Sequence, residues 1–155
     1  MTRTPSQTVG PFYEIGLCRR TENELAADGI PLHGQLLDGQ DEPIEDGMIE
    51  VWDDAGRHWG RSGTTADGRF SFLVSKPASA QGAPCLHVFV FARGLLRHQL
   101  TRIYFPDEGA ANAADPVLAA LPEDDRATLV ARDEGGVLRF DIRMQGDGAT
   151  VFFAH

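Results

Sequence analysis

The sequence predicts an all-β chain: an antiparallel β-sandwich with one or two short helices between Asp115 and Arg132. Three observations lead there. Seven runs rich in β-branched and aromatic residues follow one another at short spacing. Turn signals such as Ala66-Asp67-Gly68 separate them. The 17 glycines and 9 prolines among 155 residues supply many more turns than a helical protein needs.

In chain order, residues 1–17 read as an extended N-terminal arm, because Pro5 and Pro11 oppose helix and no 3.6-residue pattern appears. Residues 18–155 then form a single sandwich domain. A polar stretch from Arg19 to Gly29, a loop or a short helix, precedes the strand-like runs "IPLHGQLLD", "GMIEVWDD", "RFSFLVSK", "CLHVFVFARG" and "LTRIYFPD". "VLRFDIRMQG" and "TVFFAH" follow after the helical interruption. There, Asp115-Pro116 is a good helix start, with a capping oxygen and a proline at the first helical position. Pro122 breaks the pattern, and "EDDRATLVAR" puts acids early and arginine late, as the helix dipole favours.

Composition limits the function classes. With 42% hydrophobic and 24% charged residues the chain has ordinary globular chemistry. A net charge of -9 disfavours a nucleic-acid or anionic-membrane surface, which needs clustered positive charge. Cys18 and Cys85 are too few for a disulfide scaffold and lack CxxC spacing, so two free thiols in a reducing, cytoplasmic setting are expected. The N-terminus has no signal-like apolar core, and no run approaches a membrane span.

Three chemistries are worth testing. Cys85 and His87 lie two apart and share one strand face, a spacing that can place two ligands on one ion. Phe89 and Phe91 continue that face, however, and His33, His58, His98 and His155 offer no obvious third and fourth ligands. Nucleophilic catalysis has less support: there is no GxSxG, and Cys18 has only Arg19 and Arg20 beside it. The third is the corner "FARGLLRHQLTRIYF", with Arg93, Arg97 and Arg102. Arg97 and Arg102 read as a solvated hairpin tip. Arg93 ends a strand apolar on both faces, where a guanidinium can grip a carboxylate in bidentate fashion beside the turn at Gly94.

These segments carry a resemblance. "TPSQTVGPFY", "IEVWDDAG", "GRSGTTADGRFSF", "SKPASAQGAPCLHVFVFARGLLRHQLTRIYF" and "RFDIRMQGDGATVFF" cover most of the chain, and together they resemble the α-type chains of the protocatechuate 3,4-dioxygenase family. These are intradiol ring-cleaving enzymes of aromatic catabolism, with a prealbumin-like sandwich fold. The resemblance implies a chain paired with a catalytic β subunit in a multimer of αβ pairs. A non-haem Fe(3+) is expected on that partner, held by two tyrosines and two histidines. The substrate class is a protocatechuate-like catecholate, cleaved with O2 to 3-carboxy-cis,cis-muconate.

Checked residue by residue, the ligand pattern is broken here. The HxH position reads Cys85-Leu86-His87, Lys76-Pro77 is followed by Ala78-Ser79-Ala80, and the stretch from Asp53 to Gly60 has no tyrosine. The resemblance therefore implies no metal ligands on this chain. By position it assigns substrate-pocket roles to Thr8, Gly10 and Pro11 of the arm and to Arg93. The stretch after Leu17 and the loop between Trp52 and Gly60 are shorter than the family pattern. The alternatives are a self-contained metalloenzyme using Cys85 and His87, or a sandwich binding module without enzymatic role.

Overall fold

The computed structural model describes residues 3–19, 22–53, 58–79 and 82–154. Sequence readings on Arg20, on residues 54–57 of the loop after Trp52, on Ala80 and on His155 lie outside them. The elements in order are α1 (Phe12–Leu17), β1 (Ile30–Leu37), β2 (Met48–Asp53), β3 (Trp59–Gly63), β4 (Arg69–Val74), β5 (Cys85–Phe91) and β6 (Gln99–Tyr104). Then come α2 (Gly109–Ala114), α3 (Pro116–Ala119), α4 (Glu123–Ala127), β7 (Arg132–Asp133), β8 (Leu138–Arg139) and β9 (Ile142–Arg143).

The strands form two sheets, one ordered β4-β1-β8-β7 with β9 also on β1, the other β3-β2-β5-β6. Alternation puts Leu32 and Leu36 of β1, Phe70 and Phe72 of β4, and Val88 and Val90 of β5 into a common core between them. Burying each such side chain contributes roughly 1.5–3 kcal/mol. A smaller core of Ala83, Cys85, Tyr104, Leu118 and Leu129 lies where the helices cover the outer side of β5 and β6.

The sandwich matches the sequence expectation, with four differences. First, β1 runs parallel to β8 and β9, so one sheet is mixed rather than purely antiparallel. The long excursion between β1 and β8 supplies the crossover that parallel pairing needs. Second, β3 was not legible, because Gly60 and Gly63 thin its apolar pattern, yet it pairs β2 in register from Met48↔Gly63 to Trp52↔Trp59. Third, "VLRFDIRMQG" splits into β8 and β9, since the Gln35 amide donates to the Asp141 side chain at 3.0 Å instead of to a ladder carbonyl. The terminal "TVFF" contributes a single bridge, Leu100↔Phe153.

The fourth difference concerns helices. The arm is not extended throughout: α1 follows Pro11, whose φ of -74° and ψ of -1° already fit a helix. Proline breaks helix interiors but suits helix starts, where its missing N–H would be unpaired anyway. In the other helical region, Asp115 caps α3 as expected, accepting from the amides of Val117 and Leu118, and Pro122 separates α3 from α4. An additional helix, α2, lies just ahead; its Gly-Ala-Ala-Asn-Ala-Ala run has no apolar stripe and is helical through alanine propensity.

One short segment joins the two sheets at an edge. Leu25 N–H donates to Leu73 O on β4 and Arg61 N–H on β3 donates to Glu22 O, both at 2.9 Å. Leu73 N–H returns to Asn23 O at 2.9 Å, and Asn23 Nδ2 donates to Ser71 O at 2.9 Å.

Candidate functional site

β5 ends at Phe91, and the chain turns at Gly94, where a φ of 84° favours glycine. Arg93, on that corner, is 53% exposed and already paired: its Nη2 lies 2.6 Å from Asp46 Oδ2 and 3.2 Å from Glu45 Oε1. Asp46 is held at a φ of 58°, a left-handed conformation that aspartate tolerates better than most residues. Its other oxygen, Oδ1, is buried without a partner among the described residues. The arrangement follows from strand register. β2 and β5 pair antiparallel up to Met48↔Phe91, and two residues further the same register sets Asp46 opposite Arg93. Sequence alone named the arginine and missed both acids, because that register is tertiary information.

Beside Arg93 lies a cavity of about 270 Å³ walled by Ile44, Ala92, Leu95, Met144 and Phe152, with Gln99 at its polar side. Thr8, Gly10 and Pro11 do not line it. They sit on the arm, where the Gly10 N–H donates to Thr8 Oγ1 at 3.1 Å and bends the chain at a φ of 63°. A Cβ on Gly10 would meet nothing within 4 Å, so this turn faces open space. Within one chain the arm triplet and Arg93 are thus not gathered into a common pocket.

The arm is fixed to the body through α1. The Tyr13 ring packs 5.3 Å from Phe91, Arg61 Nη1 donates to Leu17 O at 2.9 Å, and Glu14 lies against Gly63. Arg61 in turn pairs with Glu50 at 2.5 Å and stacks 4.6 Å above Trp59. From Tyr13 a tract of rings crosses the outer face of the second sheet. Phe91, His98, Phe89, Trp52 and Trp59 follow at centroid spacings from 5.1 to 6.4 Å. The indole nitrogens of Trp52 and Trp59 are buried without partners among the described residues. The signal for this tract in sequence was "VFVF", apolar on both faces of one strand. Meanwhile Val9, Phe12, Ile15 and Leu17 of the arm and α1 stay 44–71% exposed.

The residues do not fit a ferric site. Cys85 does share a face with His87, but it is buried against Leu118 and Leu129 and stands directly across from Tyr104. The Tyr104 hydroxyl donates to Asp115 Oδ1 at 3.2 Å and accepts from Arg102 Nη1 at 3.3 Å; burial pushes it up to about 12. Tyr13, the other tyrosine, packs on Phe91. His58 Nδ1 is 2.8 Å from Asp53 Oδ2, on a buried carboxylate at the end of β2. Among the described residues no three His, Cys, Asp or Glu side chains gather closely enough to hold an ion. Cys18 is also unsuited to nucleophilic work: burial outweighs the nearby Arg61 guanidinium and raises its thiol to about 11.

No protein-family model matches the chain. Among solved structures, the dioxygenase domain of a Streptomyces dioxygenase–carbohydrate-binding fusion superposes with a TM-score of 0.63 at 23% identity, covering 94% of this chain and 99% of its own. Hydroxyquinol 1,2-dioxygenase from Pseudomonas putida gives 0.58 at 19% identity, over 90% of this chain and 65% of its own. At such identities the likeness defines a class by fold, the intradiol dioxygenase sandwich. Closer in sequence is the protocatechuate 3,4-dioxygenase alpha chain of Burkholderia cepacia, 41% identical over 99% of this chain and 98% of that protein. The alpha chain from Pseudomonas putida is 36% identical over 99% and 96%. The chain belongs to the family of protocatechuate 3,4-dioxygenase alpha chains. The beta chain of the Burkholderia cepacia enzyme is a more distant relative, 28% identical over 94% of this chain and 77% of its own.

Proposed function

We propose that this chain is the α-type subunit of a heteromeric intradiol dioxygenase and completes the substrate pocket of a catalytic β subunit in a cytoplasmic multimer of αβ pairs. The near full-length similarity to alpha chains carries this reading. The Fe(3+) belongs to the partner, where it would activate a protocatechuate-like catecholate toward O2 to give 3-carboxy-cis,cis-muconate. This chain binds and orients. The Arg93 guanidinium meets the anionic ring-opened acid or the substrate carboxylate, with Glu45 and Asp46 holding it in place until the anion shares its donors. Thr8, Gly10 and Pro11 present a rigid backbone with no bulky side chain at the glycine, so a ligand can approach closely. The exposed Phe12, Ile15 and Leu17 support a docking role for α1, since a partner would cover them.

Co-expression with a β chain tests the reading. The α chain alone purifies colourless and inactive, and the complex carries ferric-tyrosinate absorption and ring-cleaving activity. Arg93→Ala in that complex lowers kcat/KM for protocatechuate. An iron-loaded, active preparation of this chain alone, or unchanged turnover in the Arg93→Ala complex, overturns it.

A further inference from the structure

The outer face of the other sheet carries a concentration of positive charge at odds with a chain of net charge -9. Register sets Arg132 opposite Arg139, Arg139 opposite His33, and His33 opposite Ser71, one row across four strands. Like charges directly opposite each other destabilise a sheet unless something negative lies between them. For the first pair that something is Asp141, whose oxygens lie 2.6 Å from Arg139 Nη2 and 3.0 Å from Arg132 Nη2. The Asp141 carboxylate thus shows what this surface holds. Arg143 on the same face pairs with Asp41.

The rest of the face is unbalanced. His33 of the row and Arg69, which stands opposite Gln35 two residues before Ser71, have no carboxylate partner among the described residues, and with Arg139 they wall a pocket of about 360 Å³ whose hydroxyls come from Ser62, Thr65 and Ser71. A second pocket of about 190 Å³ opens on the other side of Arg139, lined by Arg132, Arg143, Thr128 and Thr150. Among the described residues, Asp141 is the one carboxylate lining either pocket. Glu14 lies against Gly63 and lines a neighbouring pocket that shares Ser62, Gly63 and Thr65 with the first.

We propose that this face is a binding site for a small organic anion bearing two carboxylates, one held by Arg69, His33 and the near side of Arg139, the other by Arg132 and Arg143. Planar guanidinium forks match carboxylates in bidentate fashion, and two pockets sharing Arg139 fit a ligand with two separated anionic ends. The site is on the sheet opposite to the one that carries Arg93; binding by the chain alone is independent of the reading as a dioxygenase subunit, and only the measurement on the assembled chain rests on it.

Isothermal titration of the full chain with succinate, glutarate, acetate and inorganic phosphate at constant ionic strength tests it, repeated on the chain assembled with its β partner. The expected result is saturable binding of one dicarboxylate per chain, at least about tenfold tighter than acetate or phosphate, in both preparations. Arg69→Gln weakens it by about tenfold and Arg69→Lys by less, because the charge stays and the fork is lost. Arg97→Gln, on an exposed arginine outside both pockets, leaves it unchanged. Four outcomes overturn the proposal: heats that follow ionic strength alone, equal affinity for acetate and succinate, indifference to Arg69→Gln, or binding that disappears on assembly. The last would mean that a neighbouring subunit, and not a small anion, occupies this face.

Discussion

Replacing Asp115 should loosen the whole helical cover of the second sheet. Its side chain is 3% exposed and accepts four hydrogen bonds: from the amides of Val117 and Leu118 at 2.9 and 3.0 Å, from the Ala83 amide at 3.0 Å, and from the Tyr104 hydroxyl at 3.2 Å. In Asp115→Ala the helix cap is lost, at about 1–2 kcal/mol. The Ala83 amide and Tyr104 hydroxyl are then left buried without this acceptor, at roughly 1–3 kcal/mol each. Taken together, and allowing for partial relaxation, the loss is about 4 kcal/mol, a large fraction of the 5–15 kcal/mol typical of a domain. Asp115→Asn keeps Oδ1 but points an amide at the Ala83 N–H, so roughly half that loss is expected.

The same carboxylate sets an acid limb. Burial pushes its pKa up, but the hydrogen bonds from Ala83, Leu118, Val117 and Tyr104 outweigh burial and hold it below the ordinary aspartate range. With the folded value depressed, its contribution is fully present above about pH 4 and is lost as pH falls through the folded value. Urea unfolding followed by the fluorescence of Trp52 and Trp59 between pH 2.5 and pH 7 measures both effects. The reasoning fails if Asp115→Ala costs less than about 1 kcal/mol, or if Asp115→Asn keeps the wild-type acid limb.

Other expectations follow from the packing. In Gly34→Ala the new Cβ would stand 2.0 Å from the Phe140 carbonyl and 2.2 Å from the Phe70 ring, so thermal unfolding should show a loss of roughly 2 kcal/mol or more. Arg61→Ala leaves Glu50, only 12% exposed, without its guanidinium and removes the donor to Leu17 O; proteolysis near α1 should accelerate while the sandwich stays folded. With its thiol raised to about 11, Cys18 should alkylate at pH 8 about a hundredfold more slowly than a free cysteine, and at the normal rate in urea. Ile15→Asp, at a site 71% exposed, should leave the isolated chain's stability unchanged within about 0.5 kcal/mol and weaken assembly with a β chain, as sedimentation would show.

What could be foreseen from sequence divides along physical lines. Period-two runs such as "IPLHGQLL" and "RFSFLV" announce strands because one face of each is buried, and their burial alternates accordingly. Asp115-Pro116 announced its helix because capping is local chemistry. β3 escaped because its glycines carry no side chain to show which face is buried, and α1 because proline was read as a breaker where it begins a helix. At the candidate site, Arg93 was visible as a charge ending an apolar strand. Its partners Glu45 and Asp46, 48 and 47 residues away in sequence, needed the β2–β5 register. The basic face needed more still, since Arg132, Arg139, His33 and Arg69 come onto one face only when β1 takes β8 in parallel on one side and β4 on the other.

The segment from Glu22 to Leu25 has a consequence for solubility. β3 and β4 are the terminal strands of their sheets on the same side of the sandwich, and each would otherwise offer a row of unpaired amides and carbonyls to any passing extended chain. A few main-chain hydrogen bonds and one from the Asn23 side chain, all from this one stretch, block recruitment of foreign strands at both sheets at once. A peptide-bond cut or a proline placed there would expose two sticky borders together, and the protein would begin to form fibrils or clumps while its interior was still intact.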